Sequence, residues 1–164
     1  MPSTLHFFCG KAGAGKSTLA QQIALESKAV LISEDIWLTR LFGDQMTTFA
    51  DYIRVSKKLK TVVGPLVVDL LRSGSSVVLD FQGNTRDGRQ WFRTVFEEAQ
   101  AEHVLHFAST PDSVCLLRIA KRNIERPEGS HQLTEDDFHH VSSYFQPPVE
   151  AEGFNVLAHS AHAE

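Results

Sequence analysis

Residues 10–17 read Gly10-Lys11-Ala12-Gly13-Ala14-Gly15-Lys16-Ser17 and match G-x-x-x-x-G-K-[ST] at every fixed position. The pattern leaves few folds open. Its glycines permit positive φ and remove Cβ atoms, so successive backbone N–H groups turn inward around an anion. Lys16 puts a mobile charge on the β- and γ-phosphates of a nucleotide, and Ser17 offers its hydroxyl to Mg²⁺. Such a loop joins a strand to a helix N-terminus, where the macrodipole also favours an anion. The flanks supply both elements. "LHFFC" (residues 5–9) is a short apolar run suited to a buried strand, and "KSTLAQQIALES" spaces Leu19, Ala20, Ile23 and Ala24 along one helical face. The rival dinucleotide fingerprint, G-x-G-x-x-G, fails because Gly13-Ala14-Gly15 is followed by Lys16, Ser17 and Thr18. Residues Gly10, Lys11, Ala12, Gly13, Ala14, Gly15, Lys16, Ser17 and Thr18 thus form the expected nucleotide-binding set.

Four further apolar runs follow: "AVLIS" (29–33), "SVVLD" (76–80), "HVLHFA" (103–108) and a weaker "FNVLAH" (154–159). Helical patterns fill the gaps. Residues 50–72 place Val55, Leu59, Val62, Val63, Leu66, Val67 and Leu70 on one stripe, with Pro65 expected to break or kink it. Residues 87–101 and 111–123 predict two more helices, and "TEDD" after residue 133 opens a short last one with a capping-box pattern. Strands alternating with helices define an α/β fold, a parallel sheet covered on both faces. Residues 1–164 read as a single domain. The polar, Pro- and Gly-bearing stretch 123–133 is the candidate for a moving lid.

The net charge of −4 provides no basic field for nucleic acid or an anionic membrane. No apolar run approaches the ~20 residues of a membrane span. A first strand at residue 5 leaves no room for a secretory signal, and Cys9 and Cys115 read as buried thiols; both features predict a cytoplasmic setting. The eight histidines have no metal spacing, and His139-His140 reads as surface.

Ligands of open α/β sheets sit beyond the carboxyl ends of the strands. Asp80 ends the third run, where a carboxylate near Ser17 can hold Mg²⁺. Residue 81 is phenylalanine, not the glutamate that many ATP-driven machines use to activate water, and N-K-x-D is absent. ATP is therefore expected rather than GTP, and no motor. At the end of the second run stand Ser33-Glu34-Asp35. Asp35 is placed to face a phosphoryl acceptor as general base, with Glu34 as its rival. Arg118, Arg122 and Arg126 recur at i, i+4 and i+8. Arg122 and Arg126 border the lid and are the candidates to stabilise charge on the transferring phosphoryl group; Arg118 joins the nucleotide-binding set. Asn84, Arg86 and Arg89 would face the acceptor if their loop lines the pocket. Trp37 and Trp91 are pocket walls or core. Arg54, Lys57, Lys58 and Lys60 read as a solvated face.

These motifs resemble the small P-loop kinases of the zeta-toxin, chloramphenicol phosphotransferase and polynucleotide 5′-kinase type, and especially the compact bacterial ATP-binding proteins of the AAA family. The resemblance spans nearly the whole chain and rests on "GKAGAGKST", "LISEDIWL", "VVLDFQGNT" and "CLLRIAKRN". It implies a three-layer fold with a five-stranded parallel sheet in the order 2-3-1-4-5, Asp35 as the base, and a lid carrying Arg122 that closes over ATP. One position departs. The polynucleotide kinases carry an arginine three residues after this aspartate, whereas residue 38 here is leucine, which with the acidic charge counts against nucleic acid. The expected activity is ATP- and Mg²⁺-dependent phosphoryl transfer to a hydroxyl of a small molecule. The alternatives are a nucleotide or nucleic-acid 5′-hydroxyl kinase and a non-catalytic ATP-binding module.

Overall fold

The computed structural model describes residues 2–160. Five strands, β1 (Thr4–Cys9), β2 (Val30–Ser33), β3 (Val77–Gln82), β4 (Glu102–Ser109) and β5 (Val156–Ser160), pair in parallel in the order β2-β3-β1-β4-β5. Six helices connect them: α1 (Lys16–Ser27), α2 (Glu34–Phe42), α3 (Phe49–Arg72), α4 (Arg86–Ala99), α5 (Asp112–Glu125) and α6 (Glu135–Ser142). The order expected from the family resemblance is the order found.

Alternation along the central strand explains the layers. Leu5, Phe7 and Cys9 of β1 bury against Val55, Leu59 and Val63 of α3 and Phe92 and Phe96 of α4. Phe8 points the other way, into a cluster with Ala20 and Ile23 of α1. A third cluster joins Ala14 of the glycine-rich loop to Cys115 and Ile119 of α5 and Phe138 of α6. Both cysteines are free and buried.

Helix α3 runs unbroken through Pro65, so the expected break there does not occur. Its buried face follows Val55, Leu59, Val63 and Val67, an i+4 row. Val62 and Leu66, expected on that stripe, are 65% and 41% exposed, because each lies about 100° back from its buried neighbour. Helix α6 starts with the predicted box: Thr134 caps the Asp137 N–H while the Asp137 carboxylate accepts from Thr134 N–H. Trp37 and Trp91 both pack on the main core, and Trp91 stacks on Phe81 with centroids 5.5 Å apart. On the α1 side of the sheet three imidazoles form a row, with His6 Nδ1 2.9 Å from His106 Nε2 and His106 Nδ1 2.8 Å from His159 Nε2.

The chain runs from β1 to β2 and β3 on one side, then crosses to β4 and β5 on the other. The switch point therefore lies at the carboxyl end of β1, where the glycine-rich loop begins.

Candidate active site

The loop occupies residues 10–15, between Cys9 and the first residue of α1. Gly13 has φ +75°, and a Cβ there would meet the Cys115 carbonyl oxygen at 2.6 Å, so the loop can lie on α5 only with glycine at this position. The Gly10 N–H donates to Asn84 Oδ1 at 2.9 Å, which ties the start of the loop to the segment after β3. Lys16 Nζ turns back into the loop and donates to the Gly10 and Lys11 carbonyls, the latter at 3.1 Å. Burial draws its ammonium down to about 8 against the pull of Asp80 and, more weakly, of Asp35. Arg118 lies against the same loop, its Nη1 2.9 Å from where a Gly15 Cβ would stand.

Asp80 is paired in register with Ser33, so the adjacent carboxyl ends of β2 and β3 deliver Asp80 and the start of α2 side by side. Burial raises the Asp80 pKa, and the Ser17 hydroxyl beside it opposes the shift. Ser17 and Asp80 are thus neighbouring oxygen donors at the head of α1. Among the described residues no group of three or more His, Cys, Asp or Glu side chains converges as a metal site.

Ser33 caps α2 by accepting from Ile36 N–H, which sets Glu34 and Asp35 in its first turn. Glu34 is 2% exposed; its two oxygens accept from Tyr52 Oη at 2.7 Å and Ser56 Oγ at 2.8 Å, both on α3. That satisfies a buried carboxylate, which otherwise would be costly. Asp35 leaves half its side chain exposed and faces His131, with 3.8 Å between Oδ1 and Nε2. The two acids weighed from sequence therefore occupy different environments.

The connection 126–134 between α5 and α6 contains most of the segment expected to be a lid. Arg40 of α2 makes two bonds to Glu128, Nε to Oε2 at 3.0 Å and Nη2 to Oε1 at 2.7 Å. Arg126 ends α5 at φ 50°, and with the Gln132 amide turned so that its oxygen faces the guanidinium, Arg126 donates to it at 2.7 and 3.0 Å and braces the connection. Arg122 Nε is buried and has no hydrogen-bond partner among the described residues. Of the three sequence candidates, Arg118 lies on the loop, Arg122 presents a free buried donor, and Arg126 is engaged locally.

Arg89 corrects an expectation. It does not face an acceptor: it is fully buried, donating to the Gly83 carbonyl at 2.9 Å and to Glu152 through Nε and Nη2 at 2.9 and 3.0 Å. Asn84 is likewise committed to Gly10, and only Arg86 of that trio stays exposed. Sequence reasoning missed His131, the Arg40–Glu128 pair and Glu152. Each depends on a contact between segments roughly 60 or more residues apart, which no local pattern encodes.

The strand order, the phosphate-type loop at the switch point and the flanking helices define a P-loop NTPase fold of the kinase-like kind. A family model described as an AAA domain matches residues 5–148, and the chain belongs to that family. No curated protein matches the sequence. Among solved structures, a kinase-like protein from Chloroflexus aurantiacus superposes with a TM-score of 0.76 at 20% identity, covering 98% of this chain and 89% of that one. The APS kinase of Mycobacterium tuberculosis, in complex with AMPPNP and APS, gives 0.64 at 20% identity over 99% and 91%. A gluconokinase from Sinorhizobium meliloti gives 0.64 at 16% identity over 99% and 85%. At these identities the likeness is one of fold. No helix of the described residues is long and apolar enough to cross a membrane.

Proposed function

We propose that this protein is an ATP- and Mg²⁺-dependent phosphotransferase that moves the γ-phosphate of ATP to a hydroxyl of a small-molecule acceptor. The observation that carries the reading is the placement of Asp35. It is an accessible carboxylate at the head of α2, beside the strand end that bears Asp80, while Glu34 is withdrawn into the core.

The loop amides and Lys16 hold the phosphates, and charged phosphate oxygens compete well with the two carbonyls that Lys16 now contacts. The donors fit Mg²⁺: the Ser17 hydroxyl and Asp80 carboxylate are hard oxygen ligands, and this ion takes one or two protein oxygens beside phosphate and water. When bound, it neutralises charge on the phosphate oxygens. Asp35 takes the proton of the acceptor hydroxyl as that oxygen bonds to the γ-phosphorus. The bond from phosphorus to the β–γ bridging oxygen breaks, and ADP leaves with its electron pair. Arg122, whose Nε lacks a partner, supplies a donor to the transferring oxygens, and Arg118 flanks the nucleotide. Arg126 contributes by bracing the lid.

A small-molecule acceptor is favoured over nucleic acid. Residue 38, the position of the polynucleotide-kinase arginine, is a leucine only 1% exposed, and the net charge is −4. The gluconokinase likeness supports a polyol class, the APS kinase likeness a nucleotide class. A thermal-shift screen of hydroxyl compounds with Mg²⁺ and a non-hydrolysable ATP analogue tests the reading, followed by transfer of label from γ-labelled ATP to the hits. A labelled phosphoester is the expected product. Absence of ATP binding by the folded chain, or tight ATP binding with no transfer to any hydroxyl or to water, would overturn it.

A further inference from the structure

We propose that His131 is the positioning residue for Asp35: the 126–134 lid carries the imidazole to the carboxylate, so that seating the lid and orienting the base are one event. The inference rests on Asp35 being the acceptor-side base.

The geometry begins with the contact. His131 Nε2 lies 3.8 Å from Asp35 Oδ1, an ion-pair distance, and it engages one carboxylate oxygen. A carboxylate held through one oxygen has its second oxygen to offer the acceptor hydroxyl. Catalytic bases are commonly held by a third group in this manner.

The lid is built to place that ring. Gly129 has φ +83°, and a Cβ there would meet Asp35 C and Ile36 N, both at 3.2 Å, so the lid backbone lies directly on the first turn of α2. Arg40 grips Glu128 with two bonds on the outer side. At its root, Asn123 Nδ2 donates to the Leu133 carbonyl at 2.7 Å, and Leu133 N–H donates to Asn123 Oδ1 at 3.1 Å. Arg126 and Gln132 brace the interior. Bonds at the root, the middle and the rim give the loop one seat, and in that seat the ring faces the carboxylate.

The charged groups around His131 are Asp35 from α2 and Arg122 from α5, with the Arg40–Glu128 pair alongside; Lys16 and Asp80 lie beyond Asp35. Asp35 raises the imidazole above its ordinary 6.5, against burial and Arg122. The imidazolium charge is in place below 6.5 and is lost as pH rises through the raised value.

Two measurements on the full chain test the assignment. In proton NMR titrations, with the His131 ring resonance assigned by its loss in His131→Gln, His131 should titrate above 6.5 in the wild type and fall toward 6.5 in Asp35→Asn. An equal midpoint in both overturns the contact. The second measures Mg·ATP hydrolysis, with water as acceptor. His131→Ala and His131→Gln should lower kcat on the order of ten- to a hundredfold with KM for ATP unchanged, and should lose an alkaline limb present in the wild type. If Asp35→Asn hydrolyses ATP at the wild-type rate, the base reading fails and takes this inference with it. If Asp35→Asn is slow while both His131 variants keep the wild-type rate and pH profile, the base reading stands and the role of His131 alone is overturned.

Discussion

Glu34 and Asp35 are consecutive residues whose carboxylates occupy opposite environments, one closed between Tyr52 and Ser56, the other half exposed before His131. Neighbours on a helix diverge by about 100°, so a first turn seated on α3 through one of them turns the other away from α3. Glu34 fastens α2 and Asp35 is what the fastening presents.

The first test concerns the loop. Lys16→Ala should abolish ATP binding or transfer and leave the fold intact. Among the described residues its ammonium donates hydrogen bonds only to the loop carbonyls of Gly10 and Lys11, and it belongs to no core cluster. Calorimetry with Mg·ATP beside a circular-dichroism melt measures both. A folded variant with unchanged affinity and turnover would remove the phosphate role from Lys16.

Arg122→Ala should depress turnover more than ATP affinity. A buried guanidinium nitrogen without a partner among the described residues carries a desolvation cost that an arriving phosphoryl oxygen relieves. By the arginine-finger precedent the rate loss could reach roughly a thousandfold. Equal rates in the two proteins would reduce Arg122 to structural charge.

The row His6–His106–His159 predicts acid sensitivity. Burial, then the neighbouring His6 and His159, lower His106 from 6.5 to about 3. The unfolded chain therefore binds a proton that the native state refuses. The contribution is intact above 6.5 and is lost progressively as pH falls toward 3. Urea unfolding between pH 7 and 4 should show stability falling with a slope of up to about 1.4 kcal/mol per pH unit from this group. His106→Gln should flatten that slope; a wild-type midpoint that does not move with pH would contradict the account.

Most of the fold was legible because the local signals agreed. The loop motif marked the end of β1 and the start of α1, apolar runs marked the strands to within about two residues, and Thr134 with Asp137 announced α6. The strand order was not contained in periodicity; it came with the resemblance. Inside the site, Lys16, Ser17, Asp80 and Asp35 stood out because motif or strand-end position names them. Arg89 misled because a charged residue in the first turns of a helix that follows a strand end reads as functional until its partner is known. Glu152, 63 residues away, makes it a buried structural ion pair. His131 was invisible for the complementary reason: its place depends on how the lid folds back onto α2.

The replacement that separates the assigned roles most sharply is Asp35→Asn. It should keep Mg·ATP binding near wild type and lose acceptor phosphorylation. Lys16, Ser17 and Asp80 already account for phosphates and metal, and Asp35, near enough to Lys16 and Asp80 to act on their charge, is exposed and faces the lid. The amide preserves size and some hydrogen bonding but cannot accept a proton at neutral pH. Loss of a general base costs about 10² to 10⁴ in rate. Calorimetry gives the binding arm before any acceptor is known, and slow ATP hydrolysis gives a first rate. A drop in Mg·ATP affinity would make Asp35 a metal ligand. Unchanged binding with unchanged transfer would leave the carboxylate only a helix-start role, and Glu34 is too enclosed by Tyr52 and Ser56 to replace it, so the base would then have to come from the acceptor's own surroundings.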